Sequence, residues 1–119
     1  MPVIPQFLLK QLYTKGSLRA DDSGCSFTLR NNLASGTITG LELSIDGNLI
    51  PPKAISVDLN QREIKVVDIS AQNPISFDVN KEVVVRVAGL VLGPGTHRIE
   101  VRPTTRELGA ISIEVQDVV

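Results

Sequence analysis

Tryptophan is absent from this chain, and the other aromatics are few: three phenylalanines and one tyrosine among 119 residues. Carbohydrate platforms and single-stranded nucleic-acid grooves depend on exposed aromatic faces, and Phe7, Tyr13, Phe27 and Phe77 offer little for either. A core must therefore be built from Val, Ile and Leu. A charge excess of either sign is lacking too. Twelve basic residues against 13 acidic ones leave a formal net charge of −1. No basic field exists to attract a phosphate backbone, so nucleic acid is not expected as a partner. A single cysteine, Cys25, rules out a disulfide within the chain and points to a reducing compartment. No apolar run approaches the ~18 residues of a membrane span. The leading MPVIPQFLLKQLY has no basic n-region, and its apolar run Phe7 to Leu9 is too short for a signal sequence. A cytoplasmic protein with no membrane partner is the expectation.

What the chain does have is alternation. The length suits one domain, which buries roughly 65% of its unfolded surface without staples. Ser26 to Arg30 alternates with Phe27 and Leu29 inward. Thr37 to Ile45 alternates but changes phase at Gly40, with Ile38 on one register and Leu41, Leu43 and Ile45 on the other, which predicts a β-bulge. Asp46-Gly47 predicts a two-residue type I′ turn, with φ > 0 at both positions. Pro51-Pro52 ends the return strand by removing two donors. Ile55, Val57 and Leu59 alternate, Asn60-Gln61 turns the chain, and Ile64 and Val66 alternate before a phase shift at Val67. Further alternating runs hold Ile75, Phe77 and Val79; Val83, Val85 and Val87; His97, Ile99 and Val101; and Ile111, Ile113 and Val115. Residues 1–7 carry two prolines and read as an extended arm; Leu8, Lys10 and Leu12 fit a strand in preference to a helical turn. The whole is an all-β pattern of roughly eight or nine short strands, an antiparallel β-sandwich of the Ig-like or jelly-roll-like type spanning residues 1–119, with a closed barrel as the alternative.

Chemistry-bearing residues are scarce. The one histidine, His97, follows the Gly93-Pro94-Gly95-Thr96 turn and shares the inward parity of Ile99 and Val101. It reads as a strand-start histidine bonded to backbone at the rim, or as a histidine facing a partner or a site. Cys25 lacks adjacent cations, so a half-buried cysteine outweighs a nucleophile. One histidine and one cysteine exclude the usual zinc sets, and Asp21-Asp22 lacks a spaced calcium loop, so no metal site is expected here. Gly93-Pro94-Gly95 is not followed by a helix and no phosphate-binding glycine motif occurs, so no cofactor site is expected either. Arg102 and Arg106, with Arg98, suggest a basic edge near the C-terminal hairpin: a guard against edge aggregation, or a rim for an anion or partner. Asn31 and Asn32 form a turn or a contact loop. The sequence thus offers Asn31, Asn32, His97, Arg102 and Arg106 as candidate partner or site-rim contacts and no catalytic residue.

The order GLELSIDGNLIPP (40–52), ISFDV (75–79), GLVLGPGTHRIEV (89–101) and RELGAISIEVQD (106–117) resembles the small β subunit of bacterial C-glycoside deglycosylation enzymes, over roughly residues 26–117. The resemblance implies a β-sandwich accessory subunit paired with a larger TIM-barrel subunit of the sugar-isomerase type. That subunit would hold a divalent metal and the general base, and would cleave the C–C bond of a 3-oxo-C-glycoside by elimination. The family carries an aromatic and arginine-containing segment before the Asp-Gly hairpin; NNLASGTITG (31–40) departs from that pattern. Two other readings stand beside this one: a stand-alone Ig-like binding or scaffolding module that forms homo-oligomers, and an independent enzyme using His97. Co-purification with a barrel protein, self-association, and the activity of a His97→Ala variant separate them.

Overall fold

The computed structural model describes residues 5–119. A short helix, α1 (Gln6–Leu9), runs into a 3₁₀ turn at Lys10–Leu12. The strands that follow are β1 (Arg19–Asp21), β2 (Gly24–Arg30), β3 (Gly36–Ile45), β4 (Asn48–Leu49), β5 (Ile55–Leu59), β6 (Arg62–Lys65), β7 (Ile75–Phe77), β8 (Glu82–Ala88), β9 (Thr96–Thr105), β10 (Gly109–Ala110) and β11 (Ile113–Val118). One sheet has the order β1-β2-β8-β5-β6. In the other, β9 lies between β3 and the β10/β11 edge, and β3 pairs on its far side with β4 and β7. All pairings are antiparallel, as expected of this all-β sandwich.

Alternation places the core between the two sheets. Cys25, Phe27 and Leu29 of β2 face Val83, Val85 and Val87 of β8 and Ile55, Val57 and Leu59 of β5. From the second sheet come Leu43, Ile45, Ile99, Val101 and Ile113. Phe27, Leu43, Ile99 and Val101 are fully enclosed, at 0% exposure. Each such side chain contributes about 1.5–3 kcal/mol relative to leaving it in water.

Local sequence signals account for most of the turns. Asp46 and Gly47 take φ of 54° and 82°, the two left-handed positions of a type I′ turn between β3 and β4. Asn60 and Gln61 repeat the device between β5 and β6, at 53° and 64°. The register of β3 on β9 slips between Ile38 and Gly40, so Thr39 is the extra residue of a bulge. The slip keeps Ile38 and the later Leu41, Leu43 and Ile45 on the inner face. Pro52 opens a 3₁₀ turn where β4 ends, and the phase shift after Val66 is a second such turn, Val66–Asp68.

The expectation of a strand over Leu8 to Leu12 is corrected. Leu8 and Leu9 donate backbone bonds to the Pro5 carbonyl, and the turn continues through Leu12. Leu9 and Leu12, three residues apart, share one helical edge and pack against the core, with Leu9 only 4% exposed. Of the extended arm expected over residues 1–7, residues 1–4 lie outside the described residues, while Gln6 and Phe7 belong to α1. The strands also outnumber the expected eight or nine, because two-residue pairings such as β4 and β10 are too short to show alternation.

Candidate functional site

Strand β9 sets the long axis of the site. At its start His97 meets the β3–β4 hairpin; just beyond its end Arg106 meets the opposite rim, roughly 30 Å away. The five sequence candidates therefore do not converge. Asn31, Asn32 and Arg106 stand at one end, His97 at the other, and Arg102 on the outer face of the second sheet.

The end beyond Thr105 is open. There the two sheets part around a cavity of about 200 Å³ lined by Leu12, Leu33, Ile38, Leu41, Ile75, Phe77 and Ile111, with core residues at its floor. Each of these seven remains partly exposed and packs against the core. Polar groups lie at the rim, and each has a protein partner. Asn31 is buried; its amide donates to the carbonyls of Ala34 and Phe77 at 2.8 Å each, and its Oδ1 accepts from Leu33 N at 3.1 Å. Ser35 Oγ accepts from Val79 N at 3.0 Å. Glu107 accepts from the backbone N–H and hydroxyl of Thr37 at 2.8 and 2.9 Å, and these bonds, the backbone one foremost, hold its carboxyl below the ordinary value. Arg106 donates to the Ala71 carbonyl at 3.1 Å, and Asn32 to the Gln11 carbonyl at 3.0 Å. Asn31 is thus a strut that shapes the 31–35 loop, while Asn32 is exposed beside the turn after α1.

Arg102 does not add to a basic edge. Its guanidinium donates to Glu100 at 2.7 Å, Ser44 Oγ at 3.1 Å and Glu42 at 3.4 Å. Two carboxylates balance it, so this patch attracts anions weakly.

The other end is closed by polar contacts. His97 Nδ1 lies 2.6 Å from Asp46 Oδ2, and Nε2 lies 2.6 Å from the Gly93 carbonyl. Arg98 N donates to Asp46 Oδ1 at 2.9 Å. The Asp46 carboxylate, then the Gly93 carbonyl, raise the His97 value above that of a free imidazole; the His97 bond, then the Arg98 N–H, lower that of Asp46. The sequence showed Asp46 only as a turn residue; its role as a histidine partner depends on β3–β9 register.

A second cluster had no signal in the sequence. Tyr13 donates its phenol proton to Asp117 Oδ2 at 2.6 Å, and Gly16 N and Leu18 N donate to the same oxygen at 3.0 and 3.3 Å. Asp117 is 8% exposed. Burial opposes its ionisation, but the bonds from Tyr13 and three backbone N–H groups prevail and hold its carboxyl below the ordinary value. Burial first, then the bond to Asp117, push the Tyr13 phenol up. Cys25, also buried, has its thiol pushed up to about 11 by desolvation and then by Asp21. It is a packed side chain rather than a thiolate.

Among the described residues no group of three or more His, Cys, Asp or Glu side chains is placed to hold a metal ion. No helix among them is long and apolar enough to cross a membrane.

Comparison with known proteins adds two findings. The 3′-dehydrocarminate deglycosidase beta subunit of a Microbacterium species is 27% identical over 95 residues, covering 76% of this chain and 72% of that protein. The resemblance to β subunits of C-glycoside deglycosylation enzymes, drawn above from the hairpin and turn motifs, is met by this relative. A sequence model of the family described as "Hydroxymethylglutaryl-CoA reductase, N-terminal domain" matches residues 8–119. With nearly the whole chain matched, from the middle of α1 through β11, the protein belongs to that family.

Proposed function

We propose that this chain is the accessory β subunit of a heteromeric deglycosylation complex and acts beside a larger catalytic subunit. The observation that carries this reading is its likeness, over most of both chains, to a protein described as a deglycosidase beta subunit. The side-chain chemistry supports it. Both nitrogens of His97 face acceptors, Asp117 and Tyr13 are buried against each other, and the Cys25 thiol is held protonated. None of these groups opens onto the cleft, as an acid or base acting on a substrate must.

In finer detail, the complex is a metal-dependent, C-deglycosidase-like carbon–carbon lyase of the cytoplasm. Its partner is a TIM-barrel, sugar-isomerase-like subunit that carries the divalent metal and the base. The present chain stabilises that barrel and presents the 31–36 and 106–111 rim to it. The family description names a domain of a reductase, and we read the match as shared ancestry rather than shared reductase chemistry. Hydride transfer from a nicotinamide dinucleotide calls for a phosphate cradle, and the Gly93-Pro94-Gly95 turn runs into strand β9 rather than a helix N-terminus.

The open cleft also favours a second reading, a self-assembling sandwich module, since a second copy would cover the same apolar rim. Tagged chain is recovered from its native cells and the copurifying proteins are identified by mass spectrometry. A stoichiometric barrel protein, with deglycosylation activity in the assembled pair, is the expected result. Recovery of the chain alone with a defined oligomeric mass overturns it in favour of the module.

A further inference from the structure

The contact between His97 and Asp46 does more than tuck a ring against the rim. A neutral imidazole carries one proton, so one ring nitrogen donates and the other accepts. Here the partners of both nitrogens, the Asp46 carboxylate and the Gly93 carbonyl, are acceptors, each 2.6 Å away. A neutral ring in either tautomer would set a nitrogen lone pair against an oxygen lone pair. Only the imidazolium satisfies both contacts.

We propose that His97 is a protonation-controlled clamp: charged, it ties the tip of the β3–β4 hairpin to the 89–95 loop, and on losing its proton it lets the loop go. The asymmetry follows from bond strength. The bond to Asp46 has a carboxylate acceptor and is the stronger. Asp46 is also anchored from behind by Arg98 N and lies in a tight turn. The Gly93 carbonyl is therefore the contact released. The loop is pinned at its ends, where Gly89 N donates to the Ser23 carbonyl at 2.8 Å and Gly95 exchanges backbone bonds with Val119 at 3.1 and 3.0 Å, so release is confined to the exposed Gly93-Pro94 tip between them.

The charges around the ring are few. Asp46 faces it from the hairpin. Arg98, next along β9, sends its guanidinium toward Gly47. Asp117 is the register partner of His97 on β11, but its carboxylate is bonded to Tyr13, Gly16 and Leu18. The loop Gly89-Leu90-Val91-Leu92-Gly93-Pro94-Gly95 contributes no ionisable side chain. The His97 side chain keeps 13% of its surface exposed, so solvent can take the proton.

The sign is fixed by the geometry. The folded protein binds the His97 proton more tightly than the unfolded chain does. The clamp is fully made below the ordinary imidazole value of about 6.5 and is lost as pH rises through the higher folded value.

Ring ¹⁵N shifts and backbone ¹⁵N relaxation of the full chain test the clamp. Below its titration midpoint both His97 nitrogens are expected to carry protons, and that midpoint lies above about 6.5. Through that midpoint the order parameter of Gly93 falls from about 0.85 to below about 0.6, while those of Asp46, Gly47 and the Val119-bonded Gly95 hold. Asp46→Asn keeps a turn-forming residue and lowers the midpoint; His97→Gln makes the loop insensitive to pH. A midpoint at or below that of free imidazole, or loop order unchanged across the titration, overturns the proposal. The wild-type spectra decide the matter even where a variant does not fold.

Discussion

Where β9 begins, the sandwich is closed by bonded polar groups: His97 on Asp46 and Gly93, Asp117 on Tyr13, and the Gly24 backbone pressed on β8. Where β9 ends, apolar side chains from both sheets stand half in solvent around a cavity of about 200 Å³. The same alternation of residues built both ends. One end is shut by bonded polar groups, although Leu49, Val91 and Val118 stand exposed beside them, and the other leaves a cleft of half-buried apolar side chains. Stability should therefore be concentrated at the closed end and in the middle, and substitution at the open end should be tolerated by the isolated chain.

The largest effect expected is a contrast between two isoleucines. Ile99→Ala removes a fully enclosed side chain and should cost about 4 kcal/mol in urea unfolding, whereas Ile75→Ala at the cleft should cost about 1 kcal/mol. Equal costs would show that the cleft is as tightly packed as the core. Next comes Gly24→Ala. Gly24 has φ of 152°, and a Cβ there would lie 1.9 Å from the Val87 carbonyl oxygen, so β2 cannot keep its pairing with β8. A loss of about 3 kcal/mol is expected in the same assay, and a loss below about 1 kcal/mol would mean that the two strands separate easily. The smallest effect is Asp117→Asn, which weakens charge-assisted bonds at about 2 kcal/mol. Its pH dependence is the sharper test. The folded Asp117 carboxyl lies below its ordinary value, so its contribution is present above the unfolded value of about 3.9 and is lost as pH falls through the folded one. Wild type and variant should converge in acid, and a difference independent of pH would assign Asp117 a packing role only.

Much of this architecture was legible from local signals. Asp46-Gly47 demanded two left-handed residues and has them, because the requirement is set within the turn itself. Gly40 marked a change of phase, and the register slips beside it, because alternation records which side of a sheet each residue faces. The helix over Gln6–Leu9 was not legible, since Leu8, Leu9 and Leu12 satisfy a strand and a helical turn almost equally in so short a span. The cleft was hidden for another reason: alternation names the inward residues but not how far apart the sheets stand. Asn31 read as a turn or contact-loop residue, but the sequence could not show that its amide is spent on the Ala34 and Phe77 carbonyls, one of which lies 46 residues away. Arg102 read as part of a basic edge, but its acidic neighbours Glu42 and Glu100 come together only through β3–β9 pairing.

The bond from Tyr13 to Asp117 spans 104 residues. During synthesis Tyr13 leaves the ribosome long before β11 exists to receive it. Until then the segment after α1 is held only by nearer contacts, Thr14 N on the Thr28 carbonyl and Asn32 on the Gln11 carbonyl, and the β9 edge that β11 will cover stays unpaired. Contacts of such long sequence separation delay folding and lengthen the time in which bare edges meet other chains. Strand β11 completes what Tyr13 begins, so the nascent chain depends on protection of the β9 edge until β11 has emerged.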